Sequence, residues 1–208
     1  MNKNYLLLAG IVIALGIGML FMPEKEPGNQ VKPELLLAAI DDPSRFLSTD
    51  DITDRLVKKD PALMLIDVRP EKQFTEFAIP GAINIPVDSL FSISALDLLS
   101  QNARDKVLYS NSDVTSDQAW IVCKRTGIQR IYIMQGGINK WFNTIVKAQK
   151  PAESAPAKDF DLYSFRIAAS QHFFGSAGTD NSTSKVNEPK KVIKVAKKPV
   201  EASSGGGC

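Results

Sequence analysis

Apolar positions follow three different rhythms along this chain. Residues 5–22 (YLLLAGIVIALGIGMLFM) carry no charge and are almost wholly apolar. As a helix rising 1.5 Å per residue this run would span roughly 27 Å, close to the hydrocarbon thickness of a bilayer. From about 45 to 146 the rhythm changes to short strand-like runs alternating with helical stripes. Residues 63–66 (LMLI) form a continuous apolar run that suits a strand buried on both faces, and 83–85, 107–109 and 131–134 repeat the signal. Between them, Ser48-Thr49-Asp50-Asp51 reads as a capped helix start with Ile52 and Leu56 on one face. Residues 116–126 read as a helix stopped by Gly127, with Thr115 or Ser116 as its N-cap. Ile138, Trp141, Phe142 and Ile145 fall at i, i+3, i+4 and i+7, a core-facing stripe. Strands alternating with helices predict an α/β domain built on a parallel sheet with helices on both faces.

The flanks differ in kind. Residues 1–4 are a short N-terminal flank, and 23–44 a polar linker with a short helix opening at Pro33. Residues 147–175 hold a second linker and an aromatic-rich helix (DFDLYSFRIAASQHFF), whose aromatic side chains predict docking on the domain. Residues 176–208 are rich in Ser, Thr, Asn, Gly and Lys and predict a disordered tail ending in Cys208.

For the apolar run two readings stand, a transmembrane anchor at 5–22 or a cleaved signal peptide. The run ends Leu-Phe-Met-Pro with no small-residue cleavage site, which favours the anchor. Lys3 on the near flank and the balanced Glu24-Lys25-Glu26 beyond place the N-terminus in the cytoplasm and the domain outside it, in the periplasm. The expectation is therefore a single-pass protein of the cell membrane. The lipid bilayer is one partner. An integral membrane or extracytoplasmic protein is the other that this reading allows. Gly10, Ala14 and Gly18 form a small-residue face, which ordinary glycine use in membrane helices also explains.

Composition narrows the chemistry. The 208 residues are 44% hydrophobic and 23% charged, and the net charge of +2 argues against a nucleic-acid binder. Two cysteines, Cys123 and Cys208, and one histidine, His172, exclude a Cys/His zinc site. Neither metal nor cofactor is implied. Cys123 sits among apolar residues of a predicted helix and reads as a small hydrophobe.

Three blocks in order carry a resemblance: Asp67-Val68-Arg69, Ile79-Pro80-Gly81-Ala82-Ile83-Asn84-Ile85-Pro86, and Gly136-Gly137-Ile138-Asn139-Lys140-Trp141. Together they resemble the rhodanese-like (sulfurtransferase) domain family over about residues 48–145. The family often has Gly-His where this chain has Phe77-Ala78. Each block also has a structural role. Asp67 and Arg69 end a buried strand, Gly81 follows Pro80 in a turn, and Gly136 and Gly137 bend the chain into the helix of Trp141.

The resemblance implies a strand ending in Tyr followed by an active loop that opens with cysteine and closes with arginine. In active members the thiolate takes sulfur as a persulfide, held by inward amides and the cation. The matching stretch is Ser110, Asn111, Ser112, Asp113, Val114, Thr115 and Ser116. Serine stands at the cysteine position, Thr115 at the arginine, and Asp113 where glycine is common. A serine hydroxyl cannot form a persulfide and is scarcely ionised without a base. The resemblance implies a membrane-anchored, non-catalytic binding or tethering module in extracytoplasmic sulfur handling, partnering an integral membrane or extracytoplasmic sulfur-handling protein. Its loop recognises rather than reacts, although the loop also reads as a plain strand-to-helix turn. The alternative is a sulfurtransferase or sulfur carrier that uses Cys208. A phosphatase of related fold would need the same missing cysteine and arginine.

Overall fold

The structure, a computed structural model, describes residues 3–20, 30–175 and 191–192. Residues 1–30 and 31–208 form two separate units. In the first, α1 (Lys3–Leu20) is a single helix. Lys3 and Asn4 occupy its first turn, and its described apolar side chains run from Tyr5 to Gly18. Among the described residues no helix is long and apolar enough to cross a membrane. That finding overturns the transmembrane helix expected at 5–22. It also overturns the single-pass placement, with cytoplasmic N-terminus and periplasmic domain, that rested on this helix.

The second unit is a parallel sheet between two helical layers. Its strands are β1 (Phe46–Leu47), β2 (Leu63–Asp67), β3 (Ile83–Asn84), β4 (Asp105–Tyr109), β5 (Ile131–Met134) and β6 (Lys191–Val192), in the order β1-β5-β4-β2-β3-β6. Every neighbouring pair is parallel. Alternation along the strands divides the core. Met64, Ile66, Leu108, Ile131 and Ile133 face one layer, where they meet Ala95 and Leu99 of α5 (Ile93–Leu99) and Ala119, Trp120 and Cys123 of α6 (Asp113–Arg125). Leu65, Val107, Tyr109 and Met134 face the other. There they meet Ile52 of α3 (Thr49–Val57), Phe74 of α4 (Glu71–Glu76), and Ile138 and Trp141 of α7 (Gly137–Trp141). Strands apolar on both faces need both layers, which is why the runs read as continuous rather than alternating.

Caps and turns place the helices. Ser48 caps α3, its hydroxyl accepting from the Asp51 N–H at 3.1 Å and donating to the Asp51 carboxylate at 2.6 Å. α7 runs on through a π turn (Phe142–Val146), closed by Lys147 N–H donating to Phe142 O. α2 (Pro33–Asp41) packs near α6, and the adjoining Arg45 stacks over Phe46 and Trp120 while pairing with Asp117. α8 (Ala157–Phe174) docks as its aromatic content predicts. Arg166 grips Asp50 with two bonds of 2.8 and 2.7 Å, and Phe173 and Phe174 lie 6.0 and 6.3 Å from the Trp141 ring.

Two further departures have physical causes. β1, α4 and α5 are too short for a periodic signal, and only their packing on the sheet holds them. The tail expected to be disordered contributes β6, because the outer edge of β3 offers unpaired backbone groups to any extended segment. The rest of that tail, Cys208 included, lies outside the described residues.

Trp141 is fully buried, and its indole N–H donates to Thr53 Oγ1 at 2.9 Å. Thr53→Val keeps the shape and removes that acceptor. We expect a loss of about 1–3 kcal/mol, read as a lower urea midpoint with an unchanged slope.

Candidate functional site

β2 and β4 are neighbours, yet β3 lies on one side of them and β5 on the other. Chain direction across the sheet reverses between β2 and β4, the kind of position beyond whose strand ends α/β sheets bind ligands. Arg69 follows one strand and Ser110 the other, so the fold brings these two predicted residues together.

Asp67 and Arg69 form a buried ion pair, with contacts of 2.9 and 3.1 Å from Nε and 2.6 Å from Nη2. Asp67 also accepts the Arg69 N–H at 2.9 Å. Burial works against the guanidinium charge, but the Asp67 carboxylate outweighs it and leaves the Arg69 pKa raised. Nη2 bonds the Phe77 carbonyl at 2.7 Å, and Nη1 reaches the Asn111 side-chain oxygen at 3.3 Å. Asn111 in turn donates to Gln73 at 2.9 Å. The cation thus touches the loop through an amide, with its charge already answered by Asp67.

The loop is closed on itself. Ser110 is buried, and its hydroxyl donates to the Ser112 carbonyl at 2.5 Å. α6 starts at Asp113, with Ser112 as N-cap, rather than at 116 with Thr115 or Ser116 as the cap. The cause is Asp113. Its carboxylate suits the first turn of a helix and accepts the Gly136 N–H at 2.5 Å. Ser116, inside the helix, turns its hydroxyl back to the carbonyls of Asp113 and Ser112 at 2.9 and 3.2 Å. Val114 and Thr115 are exposed on the first turn.

The loop carbonyls point at the β5–α7 turn. Ser110 O accepts the Ile138 N–H at 2.8 Å, and Asn111 O accepts the Asn139 N–H at 3.3 Å. This approach is what the double glycine permits. A Cβ on Gly137 would lie 2.5 Å from Ser110 O and 2.8 Å from Asn111 O, and Gly136 and Gly137 both have positive φ. Gly81, also at positive φ, makes the turn before β3, and Trp141 fills the core below α7. The Asp113–Gly136 and Gly137–Ser110 contacts join residues more than twenty positions apart and have no signal in local sequence.

Among the described residues no histidine lies beside Ser110. His172 lines a cavity of about 340 Å³ with Arg55, Lys59, Asp60, Leu63 and Gly81, at the opposite end of β2 from Arg69. Among the described residues no group of side chains is placed to hold a metal ion. Cys123 is buried on the sheet-facing side of α6, and burial pushes its thiol up to about 12. It cannot stand in for a loop nucleophile.

Tyr109, at the end of β4, accepts the Ile79 N–H on its hydroxyl at 3.3 Å. Burial first, then the Asp67 carboxylate, raises its phenol well above the ordinary value.

Residues 48–144 match a family model described as Rhodanese-like domain. The thiosulfate:glutathione sulfurtransferase of Saccharomyces cerevisiae is 27% identical over 104 residues, covering 45% of this chain and 75% of that protein. An adenylyltransferase and sulfurtransferase of Meyerozyma guilliermondii is 28% identical over 90 residues, covering 39% of this chain and 20% of that protein. An uncharacterized protein of Buchnera aphidicola is 28% identical over 91 residues, covering 43% of this chain and 62% of that protein. The match thus spans less than two thirds of the last two relatives. Among solved structures, a rhodanese-like domain from Anabaena sp. is 22% identical with a TM-score of 0.44, covering 54% of this chain and 88% of that one. A rhodanese-like domain protein from Staphylococcus aureus is 23% identical with a TM-score of 0.41, covering 46% of this chain and 89% of that one.

Two predictions come from this geometry. Gly137→Ala forces a side chain onto the Ser110 and Asn111 carbonyls and should cost at least about 2 kcal/mol, read by denaturant unfolding. The second concerns pH. A phenol raised by folding keeps its proton where the unfolded chain, titrating near pH 10, loses it. Its share of stability is therefore intact below about pH 10 and lost as pH rises through the folded value. We expect the stability difference between wild type and Tyr109→Phe to stay flat from pH 7 to about 10 and then to shift against wild type.

Proposed function

We propose that this chain, which belongs to the rhodanese-like family through residues 48–144, uses the domain as a non-catalytic binding module in sulfur handling. The observation that carries this reading is the state of the Ser110 loop. Its hydroxyl is committed to its own Ser112 carbonyl, and its carboxylate to the Gly136 N–H. The nearby Arg69 is neutralised by Asp67. A persulfide is anionic and needs a thiol, open inward amides and a free cation. Serine supplies no thiol, and Asp113 adds negative charge at the helix end that would otherwise favour an anion. What the loop offers is hydrogen bonding around Asn111, Ser112 and Thr115, all exposed, which suits recognition of a polar side chain or small ligand.

A sulfurtransferase working through Cys208 is the second reading, and it rests on the burial of the chain's other thiol. Sulfur transfer from thiosulfate to cyanide separates the two. The arms are wild type, Cys208→Ser, Ser110→Cys, and the triple variant Ser110→Cys/Asp113→Gly/Thr115→Arg. We expect wild type and Ser110→Cys to be silent, and the triple variant to gain activity at least about tenfold above background, since thiol and cation are needed together. Wild-type turnover abolished by Cys208→Ser would support the tail thiol. Turnover that survives Cys208→Ser would sink both readings.

A further inference from the structure

The cavity of about 340 Å³ at the amino end of β2 stands apart from the Ser110 loop. Leu63 and Leu65 of β2 and Phe173 of α8 give it apolar walls. Arg55, in the last turn of α3, is held in place beside them. Its Nε donates to Asp60 at 2.7 Å and its Nη2 to Asp105 at 2.9 Å, while Asp60 also accepts the Ala62 N–H at 2.8 Å. The rim is polar, with Lys59 and His172 both exposed. Among the described residues Lys59 makes no ion pair. Gly81 leaves the mouth open, since a Cβ there would meet only Leu56 Cδ2, at 3.9 Å.

Lys59 also stands where glycine is usual. Its N–H donates to Leu56 O, and the Asp60 N–H donates to Arg55 O, the paired bonds that close a helix on a left-handed residue. Lys59 takes that conformation at φ 54°, which disfavours any residue with a Cβ. The chain thus places a lysine against backbone preference, where its long side chain can reach over the mouth of the cavity.

We propose that this cavity binds a small organic carboxylate with a compact aromatic or branched aliphatic body. The site is separate from the Ser110 loop and independent of how that loop is read. Its size falls at the low end of the range for small-molecule sites, about 300–1,000 Å³. Its polarity is divided as such sites require, with Leu63, Leu65 and Phe173 to cover an apolar body and polar groups gathered at one rim. Its charge selects the head group. Arg55 and Lys59 stand against the single carboxylate of Asp60, which leaves one positive charge for a monoanion. A dianion such as phosphate would keep one charge unanswered beside Asp60. The His172 imidazole, perpendicular to the Phe173 ring at 5.3 Å, adds a hydrogen-bonding group at the same rim. His172 and Phe173 belong to α8, which lies beyond the residues 48–144 that match the family model. The closed site is therefore a property of this chain's helix as well as of the domain.

The test follows backbone amide shifts of the full chain by NMR during titration with benzoate, phenylacetate and isovalerate. At least one of the three should move the Lys59, Asp60, Gly81 and Phe173 amides saturably and leave those of Ser110 to Ser116 in place. Benzamide, which has the ring without the charge, and inorganic phosphate should each bind at least about tenfold more weakly. Lys59→Gly removes the ammonium and relaxes the left-handed backbone. It should keep or raise the urea midpoint and lower the affinity at least about tenfold. Lys59→Arg, which keeps the charge, should bind nearer to wild type than to Lys59→Gly. No saturable shift with any of the three acids, shifts centred on Ser110 to Ser116, or unchanged binding by Lys59→Gly overturns the site. Equal binding of benzamide or phosphate overturns the carboxylate as its ligand.

Discussion

The buried pairing of Asp67 with Arg69 is the constraint on which the functional end of this protein depends. Three other segments meet on it and its backbone. The guanidinium holds the Phe77 carbonyl behind α4 and the Asn111 side chain of the loop. The Asn84 amide of β3 donates to the carbonyls of both Asp67 and Arg69, at 3.0 and 2.8 Å. Removing one member of such a pair leaves a buried charge unanswered, at a cost of about 3–5 kcal/mol. The pair therefore fixes where the loop, the end of α4 and β3 stand relative to one another.

That structural role has a chemical consequence. The guanidinium is engaged by a carboxylate, a carbonyl and an amide, and its charge is answered by Asp67. The loop beside it shows the same economy, with hydroxyl and carboxylate both turned to backbone partners. Its polar groups are directed to holding β4, α6 and α7 together. The double glycine makes this possible, because it lets the α7 turn come within hydrogen-bonding distance of the loop carbonyls. In this arrangement the loop is held through backbone partners on both sides.

At the opposite end, β4 begins with a second buried cation. Lys106 is fully buried and donates to the Gln101 carbonyl at 2.9 Å. Burial lowers its pKa, and Arg130 nearby pushes the same way while Asp105 opposes. β4 thus passes from a desolvated lysine through a wholly apolar centre to Tyr109 and Ser110. Rigidity at both ends of the central strand is consistent with a scaffold that keeps its loop in one shape.

Sequence alone determined what depends on local period and turn chemistry. The strand runs at 63–66, 107–109 and 131–134, the cap at Ser48, the stop at Gly127 and the stripe of Ile138, Trp141 and Ile145 all follow from spacing, because side-chain direction repeats with the backbone. The serine, aspartate and threonine in the loop were legible for the same reason, as residue identities at positions within one short stretch. Tertiary structure decided the rest. It started α6 at Asp113 rather than 116, since the partner that holds that carboxylate, Gly136, comes from another strand–helix turn. It drew Lys191 and Val192 onto β3, because an open edge supplies hydrogen-bonding groups that no local propensity reveals. It also corrected the apolar run at the N-terminus. Hydropathy counted residues 5–22 as one span, whereas among the described residues no helix is long and apolar enough to cross a membrane. Period is written along the chain, while partners across the fold are set only when distant segments meet.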